Sequence, residues 1–191
     1  MPFATRRISI PVLVLVAEIA RAAETSTPGE KSEPPRPTIV CVPTAPPIAV
    51  DGNLDEPAWQ SARAVTEFRQ LDPVEGADPS QRTEVRVLHD DDAIYIGAML
   101  YDTAPDSIIA RLTRRDVSIP ADRFSVYIDP FYDRRSGFYF SINAAGTIYD
   151  GTLLNDDWDD SSWDGVWHGN ARVTNGGWVA EMRIPYSQLR F

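Results

Sequence analysis

Apolar and polar residues alternate with a period of two over much of this chain. In "TEVRVLH", Val85 and Val87 alternate with Glu84 and Arg86, and "AIYIGAML" follows after Asp90, Asp91 and Asp92. Two such runs across a short polar cluster predict a β-hairpin. Strand-length runs continue as "FSVYIDPF", "GFYFSINA", "TIYDGTLL", "ARVT" and "GWVAEMRI", with "DRRS", "AG" and "NGG" supplying turn chemistry. No helical period persists beyond about three turns. The pattern predicts an all-β fold, a β-sandwich of mostly antiparallel strands with short capping helices.

Some segments depart from the alternation. "IAVDGNLDEPAW" reads as strand, turn and helix. Asp51-Gly52 is a tight-turn dipeptide. Asp55 is placed to cap a helix of about two turns, with Glu56 and Pro57 in its first turn. Leu54 and Trp59 then take the hydrophobic-staple positions, which makes Trp59 a core residue. "IVCV" predicts a short edge strand, 72–80 a broken loop, and "PDSIIARLTRRD" a short helical piece. "IPYSQLRF" leaves a strand at Pro185 for a helical turn. A sandwich stopping there would lack a closing strand or two, leaving an exposed edge and marginal stability.

The ends have a different character. Arg6 and Arg7, the apolar run Ile8 to Ala17, and Ala20-Arg21-Ala22 form the three parts of a signal peptide over 1–22. The run is too short to span a bilayer, so the chain is not itself expected to be transmembrane. Residues 23–37 are polar and proline-rich, as in a disordered linker. The domain proper is 38–191. The expected location is exported: periplasm, outer membrane or extracellular.

Charge narrows the function. The net charge of −10, with Lys31 the only lysine, excludes binding a nucleic-acid backbone by bulk charge. Cys41 is the single cysteine, so no intramolecular disulfide forms. His89 and His168 lie outside any G-x-S-x-G, H-E-x-x-H or Cys–His motif, and nucleophilic catalysis is not expected. Asp129 in "YIDPF" and Glu181 in "VAEMR" are isolated strand carboxyls of the kind glycosidases use; strand-end or outward-facing roles explain them equally. Asp90 to Asp92 read as a metal cluster or as a solvated turn. The sequence names no cofactor with certainty. Calcium is a candidate, with Asp156, Asp157, Asp159 and Asp160 as oxygen donors, although their spacing is not that of an EF-hand.

The stretch "LLNDDWDDSSWDGVW" combines flat rings with planar polar groups, which is what a sugar requires. Trp158 and Trp163, with Asp160 and Asn155, are the candidate ligand-binding residues. The alternative is a structural loop anchored by Trp163 and Trp167. Trp167 and Trp178 have strand neighbours and read as core.

"PPIAVDGNLDEPAW" resembles the opening motif of the family 9 carbohydrate-binding module superfamily. "TEVRVLHDDDAIYIGAMLYD" resembles that family's first long hairpin, and "DRFSVYIDP", "GFYFSINAAG" and "GGWVAEMRIPYSQL" its later strands in order. "IDPFYDRRSGFYFSIN" with "SSWDGVW" is similar to an exported subgroup whose module precedes a large C-terminal region. The resemblance spans roughly 46–191 and implies a sandwich, calcium-stabilised in some members, that binds sugar chain ends. It implies a non-catalytic glycan-binding module linked to carbohydrate catabolism and fused to further C-terminal domains, within a glycoside hydrolase or an outer-membrane protein. The family's sugar-contacting tryptophan, glutamate and arginine fall at positions held here by Ile119, Ser125 and Ser141; its second stacking tryptophan would lie beyond Phe191. The competing expectation is a structural periplasmic or surface module without a sugar ligand.

Overall fold

A computed structural model describes residues 39–45, 48–154 and 158–189, omitting the side chains of Trp158 and Asp159. The expected signal peptide, the linker and Asn155 lie outside the described residues. The strands are β1 (Val42–Pro43), β2 (Thr83–His89), β3 (Ala93–Tyr101), β4 (Arg123–Ile128), β5 (Ser136–Asn143), β6 (Ile148–Leu154), β7 (Trp158–Asp160), β8 (His168–Thr174) and β9 (Gly177–Pro185); α1 is Pro57–Ser61. They form two sheets, one ordered β1-β2-β3-β9-β8 and the other β4-β5-β6-β7. All pairings are antiparallel except β1 with β2. The expected all-β sandwich is the observed fold.

Alternation builds the core. Val85, Val87, Ile94, Ile96, Ala180 and Met182 of the first sheet face Val126, Ile128, Phe138, Phe140 and Ile142 of the second. Trp167 and Trp178 are both buried in this cluster, as their strand neighbours predict.

A smaller core lies on the opposite face of the first sheet. There Trp59, Ile48 and Ala62 cover Leu88, Ala93 and Tyr95. The helix carrying Trp59 is shorter than expected and is capped one residue later. Glu56 occupies the N-cap and makes no side-chain cap bond. Its Oε1 instead accepts the Ala49 N–H at 3.0 Å, tying the helix start to the preceding strand-like segment. Trp59 is fully buried over Gly97. A Cβ at position 97 would stand 2.7 Å from Leu54 Cδ2 and 3.1 Å from the Trp59 ring. Gly97→Ala is therefore expected to cost about 1–2 kcal/mol through overpacking, read as a lower urea midpoint with an unchanged slope.

Over 105–116 only Pro105–Ser107 is helical, and as a 3-10 turn. The rest of that segment is irregular, ending in a turn at 115–116, and is tied to residues flanking the strands of the second sheet. Thr113 N donates to Thr147 Oγ1 at 3.1 Å, and Ile109 N to Asp122 Oδ2. These external acceptors replace the i−4 carbonyls a helix would need. Asp90 accepts the N–H groups of Asp92 and Ala93 at 2.8 Å each and the Tyr95 hydroxyl at 2.7 Å, so it organises the β2–β3 turn.

Candidate functional site

The Asp- and Trp-rich stretch turns back on the second sheet. β7 pairs with β6, Trp158 opposite Leu154 and Asp160 opposite Thr152. Asp160 is half-buried and accepts the Ser162 N–H at 2.9 Å. Hydrogen bonding from the Ser162 side chain and backbone holds its carboxyl below the ordinary aspartate range. Trp163 packs against the core, its ring 4.9 Å from Phe138 and 6.0 Å from Phe140. Gly165 lies against that ring, where a Cβ would stand 2.6 Å from Cη2. Of the aspartates considered for calcium, only the Asp160 side chain is among the described residues. No group of three or more His, Cys, Asp or Glu among the described residues is arranged to hold a metal ion.

What anchors this return is a carboxylate the sequence reading passed over. Asp150 points inward from β6 and is fully buried. Its Oδ1 accepts the Gly165 N–H at 2.7 Å, and its Oδ2 accepts Trp167 Nε1–H at 2.8 Å and Arg115. Arg115 also donates to the Gly165 carbonyl at 2.7 Å. One carboxylate thus fixes the stretch downstream of Trp163 to β6 and to the loop before β4. The available signal was parity: in "TIYDGTLL", Asp150 occupies a core-facing position between Ile148 and Thr152.

The outer face of the second sheet carries a different constellation. Ser125 and Ser141 are cross-strand partners, and their hydroxyl oxygens are 2.7 Å apart. Tyr149 continues that row on β6. The next row is Tyr127, Tyr139 and Gly151. The rings of Tyr127 and Tyr139 are 6.4 Å apart, and Tyr127 is 59% exposed. Gly151 gives the Tyr139 ring its place: a Cβ there would stand 2.5 Å from Cε1. On the other side of the serines, Arg123 reaches across β5 to lie 4.1 Å above the Tyr149 ring, and donates to Ser118 Oγ at 3.1 Å. Two positions that the resemblance marks for sugar contact are therefore adjacent, flanked by tyrosines and a guanidinium. Ile119 is half-buried in the loop leading to β4. Ser141 and Tyr149 are themselves buried, so the groups this face presents outward are Tyr127, Ser125, Tyr139 and Arg123: rings that can meet sugar C–H groups and polar groups that can meet hydroxyls.

The two isolated carboxyls are not brought together. Asp129, at the end of β4, accepts the N–H groups of Phe131, Asp133 and Arg134 at 3.0, 3.4 and 2.8 Å. Glu181 does face away from the sandwich core on β9, but it is fully buried beneath the Asp51–Trp59 segment. Its Oε2 accepts the Asp51 and Gly52 N–H groups at 2.9 and 3.0 Å, a geometry permitted by Gly52 at φ 85°. Burial, only partly offset by those two N–H donors, pushes its carboxyl up to about 7.

The family model described as carbohydrate family 9 binding domain-like matches residues 50–190. A comparison with curated proteins found no match. Among solved structures, the chain is similar to a carbohydrate binding module family 9 from Caldicellulosiruptor kristjanssonii in complex with cellotriose. That likeness has 16% identity and a TM-score of 0.55, covering 80% of this chain and 69% of the other. The corresponding glucose complex gives 17% identity and a TM-score of 0.54, covering 80% and 71%. A putative carbohydrate-binding protein from Bacteroides uniformis gives 14% identity and a TM-score of 0.51, covering 66% and 60%. At these identities the structures speak for the fold, whereas the family match spans most of the chain, and this protein belongs to the carbohydrate family 9 binding domain-like family.

Proposed function

We propose that this domain is a non-catalytic carbohydrate-binding module of an exported protein that takes part in polysaccharide breakdown. The observation that carries the reading is the outer face of the second sheet, where exposed Tyr127 and half-buried Tyr139 adjoin the Ser125–Ser141 hydroxyl pair, of which Ser125 is the accessible member. Family membership supports it, as do the cellotriose and glucose complexes of the structural relatives. The signal-peptide pattern over 1–22 supports export. Tyr127 supplies the ring surface, and Ser125 with Arg123 supplies hydrogen bonds to hydroxyls, the buried Ser141 holding the Ser125 hydroxyl in place. Trp158 is a second candidate platform on the neighbouring β7.

Isothermal titration of the folded chain with glucose, cellotriose and soluble polysaccharides tests this reading. Binding to at least one is expected, and Tyr127→Ala should weaken it about tenfold, in keeping with the worth of an aromatic face. A folded chain binding none of the panel would overturn it.

A second reading has its own observation. The charged sugar contacts of the family are serines here, and those serines satisfy one another. A structural module of an outer-membrane protein, with no sugar ligand, would keep such a neutral pair. An open reading frame continuing in amphipathic strands would favour it; glycosidase motifs would favour the first.

A further inference from the structure

Arg123 opens β4 and is exposed on the outer face of the second sheet. Its guanidinium lies 4.1 Å from the centre of the Tyr149 ring and donates to Ser118 Oγ at 3.1 Å. Tyr149 is a fixed base: it is buried, and its hydroxyl accepts from Asn143 Nδ2 at 3.2 Å. A cation–π contact and one hydrogen bond thus orient the guanidinium in advance. Ser118 is its one side-chain hydrogen-bond partner among the described residues, and no carboxylate there lies within ion-pair distance of it. The remaining N–H donors of the fork therefore meet no side-chain acceptor among those residues.

The carboxylates at this end of the sheet are engaged elsewhere. Asp122, just before β4, accepts the Ile109 N–H at 2.6 Å. Asp116 pairs with Arg115 at 3.3 Å and accepts the Asp150 N–H at 3.1 Å. The next outward position of β4 after Arg123 is the neutral Ser125, where a carboxylate would be placed to close on the guanidinium. Beyond it stand the rings: Tyr127 is exposed, and the Tyr139 ring, 6.4 Å from it, fills the space above Gly151. Tyr149 and Gly151 hold successive outward positions of β6, about 7 Å apart on an extended strand. The guanidinium over the one and the ring over the other are therefore neighbours on the scale of a sugar residue.

We propose that this face takes a uronate-containing glycan, with a sugar ring against Tyr127 and Tyr139 and the carboxylate of that residue or the next held by Arg123. The inference rests on the sugar-binding reading above and names the ligand class within it. A guanidinium fork matches a planar carboxylate with two parallel, charge-assisted N–H···O bonds, each roughly twice as strong as a bond between neutral groups. A neutral sugar would leave that charge unmatched, whereas a uronate neutralises it without displacing any ion pair among the described residues.

The test is affinity electrophoresis and calorimetry of the full chain with polygalacturonate, alginate and glucuronoxylan, with dextran sulfate as a sulfated probe and cellotriose as a neutral one. At least one uronate polymer should bind, about tenfold more tightly than the same polymer with its carboxyls methyl-esterified. Arg123→Gln should remove most of that difference, and Arg123→Lys should keep part of it, having the charge without the fork. Ser125→Glu retains the arginine and should also remove the difference, by pairing with Arg123 in the ligand's place; it keeps the test open to failure where an Arg123 variant does not fold. Equal binding of acid and ester, or an undiminished acid preference in folded Ser125→Glu, would overturn the inference and leave the sugar-binding reading standing. So would binding of cellotriose with no uronate polymer, or of dextran sulfate alone. A folded chain that binds neither uronates nor neutral sugars would overturn both.

Discussion

Asp150→Ala is expected to lower stability by about 3 kcal/mol, from the cost of breaking a buried ionic hydrogen-bond cluster. The substitution strands Trp167 Nε1 and the Gly165 N–H in the interior and leaves Arg115 without its buried partner. For a domain of this size the melting temperature should fall by about 6–12 °C. The loss should be visible first in tryptophan fluorescence, because Trp163 and Trp167 adjoin the released segment. Asp150→Asn keeps one acceptor and should fall between the alanine variant and the wild type. Asp164→Ala is the control: it also faces Arg115, but its side chain is 73% exposed, and the expected effect is below ~1 kcal/mol. Equal stability of Asp150→Ala and wild type in urea unfolding would remove Asp150 as the anchor of the 163–167 segment.

The second large effect is a dependence on pH that runs opposite to that of a salt-bridged carboxylate. Glu181 titrates near 7 in the folded chain, chiefly through burial, and lower when unfolded. A group with a raised folded value contributes stability that is fully present below its unfolded value and lost as pH rises through its folded value. Stability should therefore decline from pH 5 to pH 8, by up to about 3 kcal/mol. Below that window the sign reverses. Asp90, Asp133 and Asp160 have carboxyls below the ordinary range and contribute stability that is lost on strong acidification. Glu181→Gln retains an acceptor for the Asp51 and Gly52 N–H groups without the charge. It should flatten the slope between pH 5 and 8 and raise the midpoint at pH 8. Urea midpoints at several pH values give the answer, and a wild-type profile that rises toward pH 8 would contradict the assignment to Glu181.

These two residues mark where sequence reasoning stopped. The sandwich was legible because alternation is local: Val85, Val87, Phe138 and Phe140 announce their faces from their neighbours alone. Trp59 as core followed from staple spacing. What covers an outward-facing residue is not local. Glu181 points away from the sandwich as its parity dictates, yet it is buried by a segment more than a hundred positions earlier in the chain. Trp163 had polar neighbours in sequence, but its partners Phe138 and Phe140 come from another strand. The Ser125–Ser141 positions were reached through family resemblance; their contact required the β4–β5 register. Tyr127 and Tyr139 face outward together in that register, and nothing in the spacing of twelve residues between them reveals it. The short α1 reflects a capping competition, since Glu56 finds a distant donor in Ala49.

The order of the strands also governs when the domain can fold. Ala93 pairs with Pro185 and Tyr101 with Gly177, so β3 waits for its central partner until nearly the whole described chain is available. The β4–β5–β6–β7 sheet lies entirely within that interval and is made of sequential neighbours. It can assemble first, from short-range contacts, while the β2–β3 hairpin remains without β9. At synthesis rates of about 5–20 residues per second, the hairpin stays unpartnered on the order of ten seconds. High-separation pairing of this kind is slow to nucleate. A polypeptide whose main sheet closes only with β9 remains threadable until that strand emerges, which is compatible with the export proposed above.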